Sequence, residues 1–442
     1  MKQIITNIKQ YQHDNPNFIW VVSVLLSIPL DYKINSAFLL LFFINTVFNF
    51  KKTNFRFQFY LIVPLLLYLL MFLSYFWSIA PSLTWPALSK ELSLLVVPIC
   101  FWMSKPLTTQ QKNSILAFYS YGILLYAIFY LTKASIRYYL TQNSNVFFYH
   151  ELVTKDVNAI HVSVYVAMAF FYFLTKPVRS FIDIFALSLL LLLVLLLSSI
   201  NIIVAFFGLV VLYYLFYTKL SKKMRLKNLI IMLALLCVVP FGGKTNEWFK
   251  HEYETMMTDS TINDVISKNE TIVYNVSIKQ AWTNKSFRAN DFFPGTAFRV
   301  YQFRIFLEML QEDAVFWTGY GLNASYPKIE AKGIHYKIYL GSSTTEGYQK
   351  KNFHNQYVQN FAELGVFGFL LLVIMLFINI KNALVTQNFI QISFAFLMIS
   401  LFLTESFLWR QRGVVFFTTM YCLFNIQNTY KFTNNNTINT LS

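Results

Sequence analysis

The residues best placed for chemistry fall in one stretch, His354-Asn355-Gln356-Tyr357-Val358-Gln359-Asn360-Phe361-Ala362-Glu363-Leu364-Gly365-Val366-Phe367-Gly368. It begins where a long polar segment gives way to an apolar one. An imidazole and an amide fall on that border, and a carboxylate follows about two and a half helical turns later. Polar groups at a water–lipid border are costly unless they bond each other, water or a ligand. An imidazole can take a hydroxyl proton near neutral pH, so His354 is the candidate general base; its other role would be to close a helix N-terminus. Asn355 would orient His354 or a substrate. Glu363 would pair with a cation inside a helix bundle, either at the site or as a structural ion pair. Gly365 and Gly368 suit close helix packing.

Arg299 is the second candidate, with Arg304 and Arg288 behind it. Guanidinium matches phosphate oxygens and keeps its charge near a membrane, so Arg299 would bind a phosphate or diphosphate; otherwise it is a surface residue of an amphipathic helix. A base and an arginine on one segment suggest group transfer from a phosphorylated carrier, with cations stabilising the leaving diphosphate. Lys90, next to Glu91, would contact lipid phosphate, pair with Glu91 or snorkel outward. His161 and Tyr165 stand one helical turn apart and read as a packed polar pair. Thr404-Glu405-Ser406 with Trp409, Arg410, Gln411 and Arg412 is a dense polar group that could wall the same cavity, with Arg410 and Arg412 as further candidate substrate-binding cations.

The elements that must carry these groups are set by composition. The chain is 56% hydrophobic and only 13% charged, far below the roughly 25% charged residues of soluble domains. It reads as an all-α membrane protein. About twelve runs approach the roughly 20 residues needed to cross a hydrocarbon core. Their limits are 17–32, 36–50, 58–77, 88–104, 114–132, 159–175, 181–198, 200–217, 228–243, 356–378, 388–404 and 412–428. The block 181–217 is divided at Ser198-Ser199-Ile200-Asn201, its only polar break. Three regions follow: membrane helices one to nine over 1–243, a large loop region over 244–355, and helices ten to twelve with a tail over 356–442. The net charge of +16 is explained by Lys and Arg in the short connections, which orient the helices, so no nucleic-acid partner is expected. That bias places both termini in the cytoplasm and 33–35, 78–87, 133–158, 198–201, 244–355 and 405–411 outside, with Arg410 and Arg412 against it. Cys100, Cys237 and Cys422 all lie in apolar runs and read as small buried hydrophobes. No cleavable signal peptide, internal repeat, P-loop, dinucleotide fingerprint or Cys/His metal spacing is found.

Loop 244–355 is far longer than a connector requires and should fold on its own. A helix is expected over Arg299–Gln311, with Val300, Phe303, Leu307 and Leu310 as its apolar stripe. Pro294-Gly295 and Gly319-Tyr320-Gly321 mark turns on either side. Gly341–Gly347 reads as a mobile loop, and three Asn-X-Ser/Thr triplets (269–271, 275–277, 284–286) as chance matches to a glycosylation pattern.

With these residues in view, the chain resembles the O-antigen ligase and polymerase group of bacterial membrane glycosyltransferases. The resemblance rests on His354-Asn355…Glu363-Leu364-Gly365…Gly368 after a large outward loop, on an upstream Arg299 helix followed by Gly319-Tyr320-Gly321, and on that loop's place between spans nine and ten. Trp77-Ser78 with Lys90 also looks like the group's early outer loop. The resemblance implies a multi-pass protein of the bacterial inner membrane. It would transfer a glycan from an undecaprenyl-diphosphate carrier on the periplasmic face, with inversion and with no metal or other cofactor. The residue matching His354 would activate the acceptor hydroxyl, and the one matching Arg299 would hold the diphosphate. The acceptor would be lipid A-core for a ligase, favoured by the single large loop, or the carrier-linked glycan for a polymerase. A transporter or flippase of lipid-linked glycan is the alternative of another class, and a non-catalytic assembly protein a further one. Relatives often carry a phosphate-binding cation in the turn 198–201; here Ile200 or Asn201 takes that place, with Arg410, Arg412 or Lys90 as possible substitutes. Phe303 stands where many relatives have Trp.

Overall fold

A backbone in an apolar surrounding must satisfy its N–H and C=O groups within the segment, which favours helices wherever apolar runs are long. The computed structural model describes residues 2–52, 58–154, 157–197, 200–218, 220–228, 230, 253–263, 272–342 and 346–426. Within these, every expected span except the ninth is built on helix: α2 (Phe18–Ser27), α3 (Tyr32–Phe48), α4 (Phe59–Leu73), α5 (Pro81–Glu91) with α6 (Ser93–Met103), α7 (Thr109–Thr141), α9 (Ala159–Thr175), α10 (Phe181–Leu197), α11 (Ile200–Leu212), α15 (Gln356–Thr386), α16 (Phe389–Phe402) and α17 (Gln411–Asn425). The ninth, with Cys237, lies almost wholly outside the described residues, as do Ser198 and Ser199. A further helix, α1 (Lys2–Asp14), precedes the first span. By length and composition, Phe59–Phe76, Pro81–Met103, Thr109–Thr141, Ile200–Tyr217 and Gln356–Thr386 could cross a membrane; five other apolar helices are shorter.

Two boundaries shift. The segment 78–87, expected as a loop, is mostly helical, because Pro81 is preorganised for the first turn of α5. The expected span 114–132 extends to Thr109–Thr141, opened by a Thr108–Gln111 capping box. Its far end packs against the short α8 (Tyr149–Leu152). Arg137 holds α8 through the Glu151 carboxylate and carbonyl, both at 2.6 Å, and Lys133 through the Val153 carbonyl at 2.7 Å. Nearly every residue of α9 is buried, so it is the bundle's central helix.

The large loop folds around its own core of Phe287, Phe293, Tyr301, Ile305, Tyr336 and Phe353 among others. It contains β1 (Thr261–Ile262), β2 (Tyr274–Asn275) and β3 (Asp291–Phe292), with β1 antiparallel and β3 parallel to β2. Its helices are α12 (Ile278–Thr283), α13 (Gly295–Glu312) and α14 (Tyr326–His335). The expected helix is present as α13, but its buried stripe is Ala297, Phe298, Tyr301, Gln302, Ile305, Phe306 and Met309. Phe303 is 44% exposed and stacks on Trp282 of α12. Both faces of α13 are apolar: the face bearing Phe298 and Tyr301 completes the aromatic core, while Val300, Leu307 and Leu310 of the expected stripe pack partly buried against that core. Arg304 bonds Glu308, the Asn284 carbonyl and Tyr336, so it braces this core. Of the proposed mobile loop, residues 343–345 lie outside the described set, while Gly341 bridges to Glu346.

One clasp joins loop region and bundle. Residues 316–322 run between the α4–α5 connection and a kink in α15. On one side Trp77 Nε1 donates to the Thr318 carbonyl (3.0 Å), Ile79 N to Tyr320 O (3.0 Å) and Thr84 Oγ1 to Leu322 O (2.8 Å). On the other, Tyr320 N donates to Ala362 O (2.9 Å), Gly321 N to Glu363 O (2.8 Å) and Val366 N to Phe316 O (2.9 Å). The approach requires glycine. Gly365 has φ +64°, and a Cβ there would lie 2.2 Å from the Trp317 oxygen; at Gly319, φ +67°, it would lie 2.3 Å from the Glu363 carbonyl carbon. Gly365→Ala should therefore destabilise the protein by at least about 1–3 kcal/mol from backbone strain alone. A lowered thermal midpoint in detergent would register it, and an unchanged midpoint would contradict the clasp.

Candidate functional site

Three side chains from three separate segments meet at the loop-bearing end of the bundle. Arg299 projects from the first turn and a half of α13. Its Nε donates to the Thr404 carbonyl at 2.9 Å, its Nη1 to the Gly295 carbonyl at 3.0 Å, and its Nη2 stands 3.7 Å from Glu405 Oε1. His354 immediately precedes α15 in a left-handed conformation, φ +46°, which non-glycine residues adopt mainly where surroundings impose it. The backbone N–H of His354 bonds Asn352 Oδ1 (3.0 Å), its ring meets Phe298 edge-on, and its Nδ1 lies 3.6 Å from the same Glu405 Oε1. Glu405 comes from the connection between α16 and α17. Asn355 secures this connection, accepting from Val358 N as N-cap of α15 and donating to the Leu403 carbonyl at 3.2 Å.

The electrostatics follow. Burial pushes the Glu405 carboxyl up, but the hydrogen bond and charge of His354, with the charges of His161 and Arg299, outweigh it and hold the group below the usual carboxylate range. Glu405 thus stays ionised at neutral pH, between an imidazole and a guanidinium. The His354 side chain is 30% exposed and that of Arg299 29%, so both reach solvent. A carboxylate on Nδ1 leaves Nε2 to accept a proton, the relation that orients a general base. Glu405→Gln should cut the rate by roughly tenfold or more if Glu405 orients the base. Because the folded-state pKa is depressed, the wild-type stability advantage over Glu405→Gln exists above the ordinary carboxylate pKa and disappears as pH falls through the folded value. Urea unfolding at neutral and acidic pH would show it.

Asn201, one of the two residues (with Ile200) at which the resemblance leads to an expected cation, lies beside this group. Its Nδ2 donates to the Ser400 carbonyl (2.8 Å) and to Thr404 Oγ1 (2.9 Å), and Ser400 Oγ donates back to Asn201 Oδ1 (2.9 Å). An amide here ties α11 to the connection whose Thr404 carbonyl holds Arg299, so it positions without supplying charge.

The remaining candidates disperse. Glu363 is buried and makes no ion pair among the described residues; it accepts from Gln359 Nε2 and Ser325 Oγ, so the expected cation partner is replaced by amide and hydroxyl donors. Lys90 places its ammonium 4.7 Å from the Trp409 ring centroid instead of pairing with Glu91. Arg412 donates twice to the Leu30 carbonyl (3.1 and 2.7 Å), fastening α17 to the end of α2. Arg410 is exposed, and its charge reaches His150 and His161. His161 is buried against Phe407, while Tyr165 packs on Phe416.

Neither Tyr149 nor His150 stands out from residue type or spacing. Tyr149 has φ +49°, and its ring packs on the His150 imidazole, centroids 4.2 Å apart. Burial, with the charge of Glu405, pushes the Tyr149 hydroxyl up to about 12. Burial and then the charge of Arg410 lower the His150 imidazole. Their electrostatic neighbours thus place them on the rim of the same site. Only the clamp residues Lys133 and Arg137, about one turn apart on α7, could have hinted that α8 is held in place.

No curated protein matches the chain. Residues 184–373, from α10 through the large loop and the clasp into α15, match the family model described as O-antigen ligase. That stretch contains Arg299, His354, Asn355 and Glu363, so the match to the O-antigen ligase family covers the residues that the chain's resemblance rests on.

Proposed function

We propose that this protein transfers a glycan from an undecaprenyl-diphosphate carrier to an acceptor hydroxyl at the periplasmic face of the inner membrane, as a ligase acting on lipid A-core. The match of residues 184–373 to the O-antigen ligase family model supports glycosyl-transfer chemistry of the O-antigen ligase or polymerase type. The observation carrying the finer reading is the convergence of His354 Nδ1 and Arg299 Nη2 on Glu405 Oε1, at 3.6 and 3.7 Å. His354 Nε2 takes the acceptor's hydroxyl proton as the acceptor oxygen attacks the anomeric carbon. The bond from that carbon to the diphosphate breaks on the opposite face, inverting the centre. The diphosphate leaves with the electron pair, and Arg299 balances its charge without a metal. Transport is less well supported, because the convergent ionisable groups lie at one end of the bundle, where chemistry on a surface-exposed acceptor needs them.

The test uses the purified full-length protein with carrier-diphosphate-linked oligosaccharide, with and without lipid A-core. Glycan on lipid A-core with release of carrier diphosphate establishes the ligase. Longer glycans on the carrier, formed without lipid A-core, make it a polymerase instead. Neither product, under conditions where a relative is active, would count against transfer.

A further inference from the structure

Away from the His354 site, two carboxylates share one buried cavity. Glu91 closes α5 and Glu363 lies on α15; they are 4% and 3% exposed. The cavity between them, about 20 Å³, is also lined by Lys90, Gln356, Asn360 and Trp409. That is room for one water-sized occupant. The titratable or charged groups facing the pair are Tyr68 of α4 and Lys90 of α5 on Glu91, and Lys90 and Tyr326 of α14 on Glu363. With both carboxyls ionised, two carboxylates and one ammonium leave one negative charge enclosed among helices, and an uncompensated buried charge is costly.

The hydrogen bonds are equally uneven. Glu363 accepts from Gln359, from Ser325 and from the backbone of Asn323. Buried Glu91 Oε2 finds no protein partner. As a carboxylate, that oxygen lacks a donor; as an acid, its proton would lack an acceptor. A cation in the cavity meets both needs, and Asn360 Oδ1, which accepts from Gln356 Nε2 at 2.6 Å, keeps a second lone pair for it. All these ligands are hard oxygens, and no cluster of three His, Cys, Asp or Glu occurs among the described residues, so the donor set suits an alkali ion over a transition metal. A single positive charge balances the site; a divalent ion would over-compensate it.

We propose that the Glu91–Glu363 cavity binds one monovalent cation of sodium-ion size. Bound there, it fastens α5 to α15. It also reaches the candidate active site, because Gln359, which donates to Glu363, accepts at Oε1 from Phe353 N and Ser406 Oγ, each at 3.3 Å. Those residues adjoin His354 and Glu405. The inference does not depend on glycosyl transfer, and its test reads binding and stability, not activity.

The experiment measures thermal unfolding of the full-length protein in detergent at constant ionic strength, in sodium, potassium or choline chloride. Equilibrium dialysis against radioactive sodium gives stoichiometry. Expected are a saturable rise of roughly 2–4 °C in sodium over choline and one ion per chain, both lost in Glu91→Gln. Glu363→Gln serves as the second variant if Glu91→Gln fails to fold. Equal midpoints in all three salts with no sodium retained by the wild type overturn the proposal. So does a midpoint that ignores sodium but follows uptake of one proton, which would make the occupant a proton.

Discussion

His354→Ala lowers glycan transfer by about 10²–10⁴-fold, the usual contribution of a positioned general base, while the protein remains folded in the membrane. The fold should tolerate the change because Asn355, not His354, caps α15. His354 adopts a left-handed backbone that alanine tolerates poorly, so His354→Asn, which accepts that conformation more readily, is the cleaner variant and should be equally inactive. The measurement is the rate of lipid A-core glycosylation at saturating donor, with the thermal midpoint as a folding control. Wild-type turnover by either variant would remove His354 from the base role.

The second large effect is expected at Arg299. Loss of one charge-stabilising donor to a leaving group typically costs about 10²–10³ in turnover. Arg299→Ala also frees the Thr404 carbonyl and leaves Glu405 with His354 as its one ion-pair partner among the described residues, so the connection 403–406 loosens. Arg299→Lys should recover part of the rate, because an ammonium restores charge but not the planar fork that reaches Gly295, Thr404 and Glu405 together. Comparing donor dependence across the three proteins separates the roles. A diphosphate-binding arginine raises the donor KM on substitution, whereas an arginine that merely holds the loop lowers turnover and the thermal midpoint with KM unchanged. Equal donor kinetics in all three would exclude Arg299 from the donor site.

How far the chain was legible depended on whether a pattern is local. Apolar runs report helices because helix formation satisfies the backbone within the run, and their order was readable residue by residue. His354 stood out because a polar residue at a membrane border is unusual on its own account, and Arg299 because a guanidinium on a loop helix matches phosphate chemistry. Glu405 was visible only as part of a polar cluster, since nothing in 404–412 says which member turns toward His354. The stripe on α13 was read only in part, because Val300, Phe303, Leu307 and Leu310 fit helical spacing as well as the fully buried set does; Val300, Leu307 and Leu310 still pack against the core, and rings from distant segments decide which face is fully buried. Arg412 and Lys90 met a backbone carbonyl and an indole ring, partners that composition does not advertise. Glu363 was expected to find a cation and found Gln359 and Ser325, one of them a turn away on its own helix.

The clasp has a consequence for biogenesis. Trp77 and Thr318, 241 positions apart, share a hydrogen bond, and the opposite side of the clasp closes only on Ala362–Val366. Contacts of such separation form late, because loop closure comes before any stabilisation. During synthesis α4 and α5 must therefore wait, their connection unoccupied, until nearly three-quarters of the chain has been made. The loop region can collapse around its own aromatic core beforehand, yet it remains undocked until α15 is threaded. A chain truncated before Gly365 would carry every helix through α14 and still lack a latch, which makes the α4–α5 connection a natural point of recognition for quality-control proteolysis of unfinished molecules.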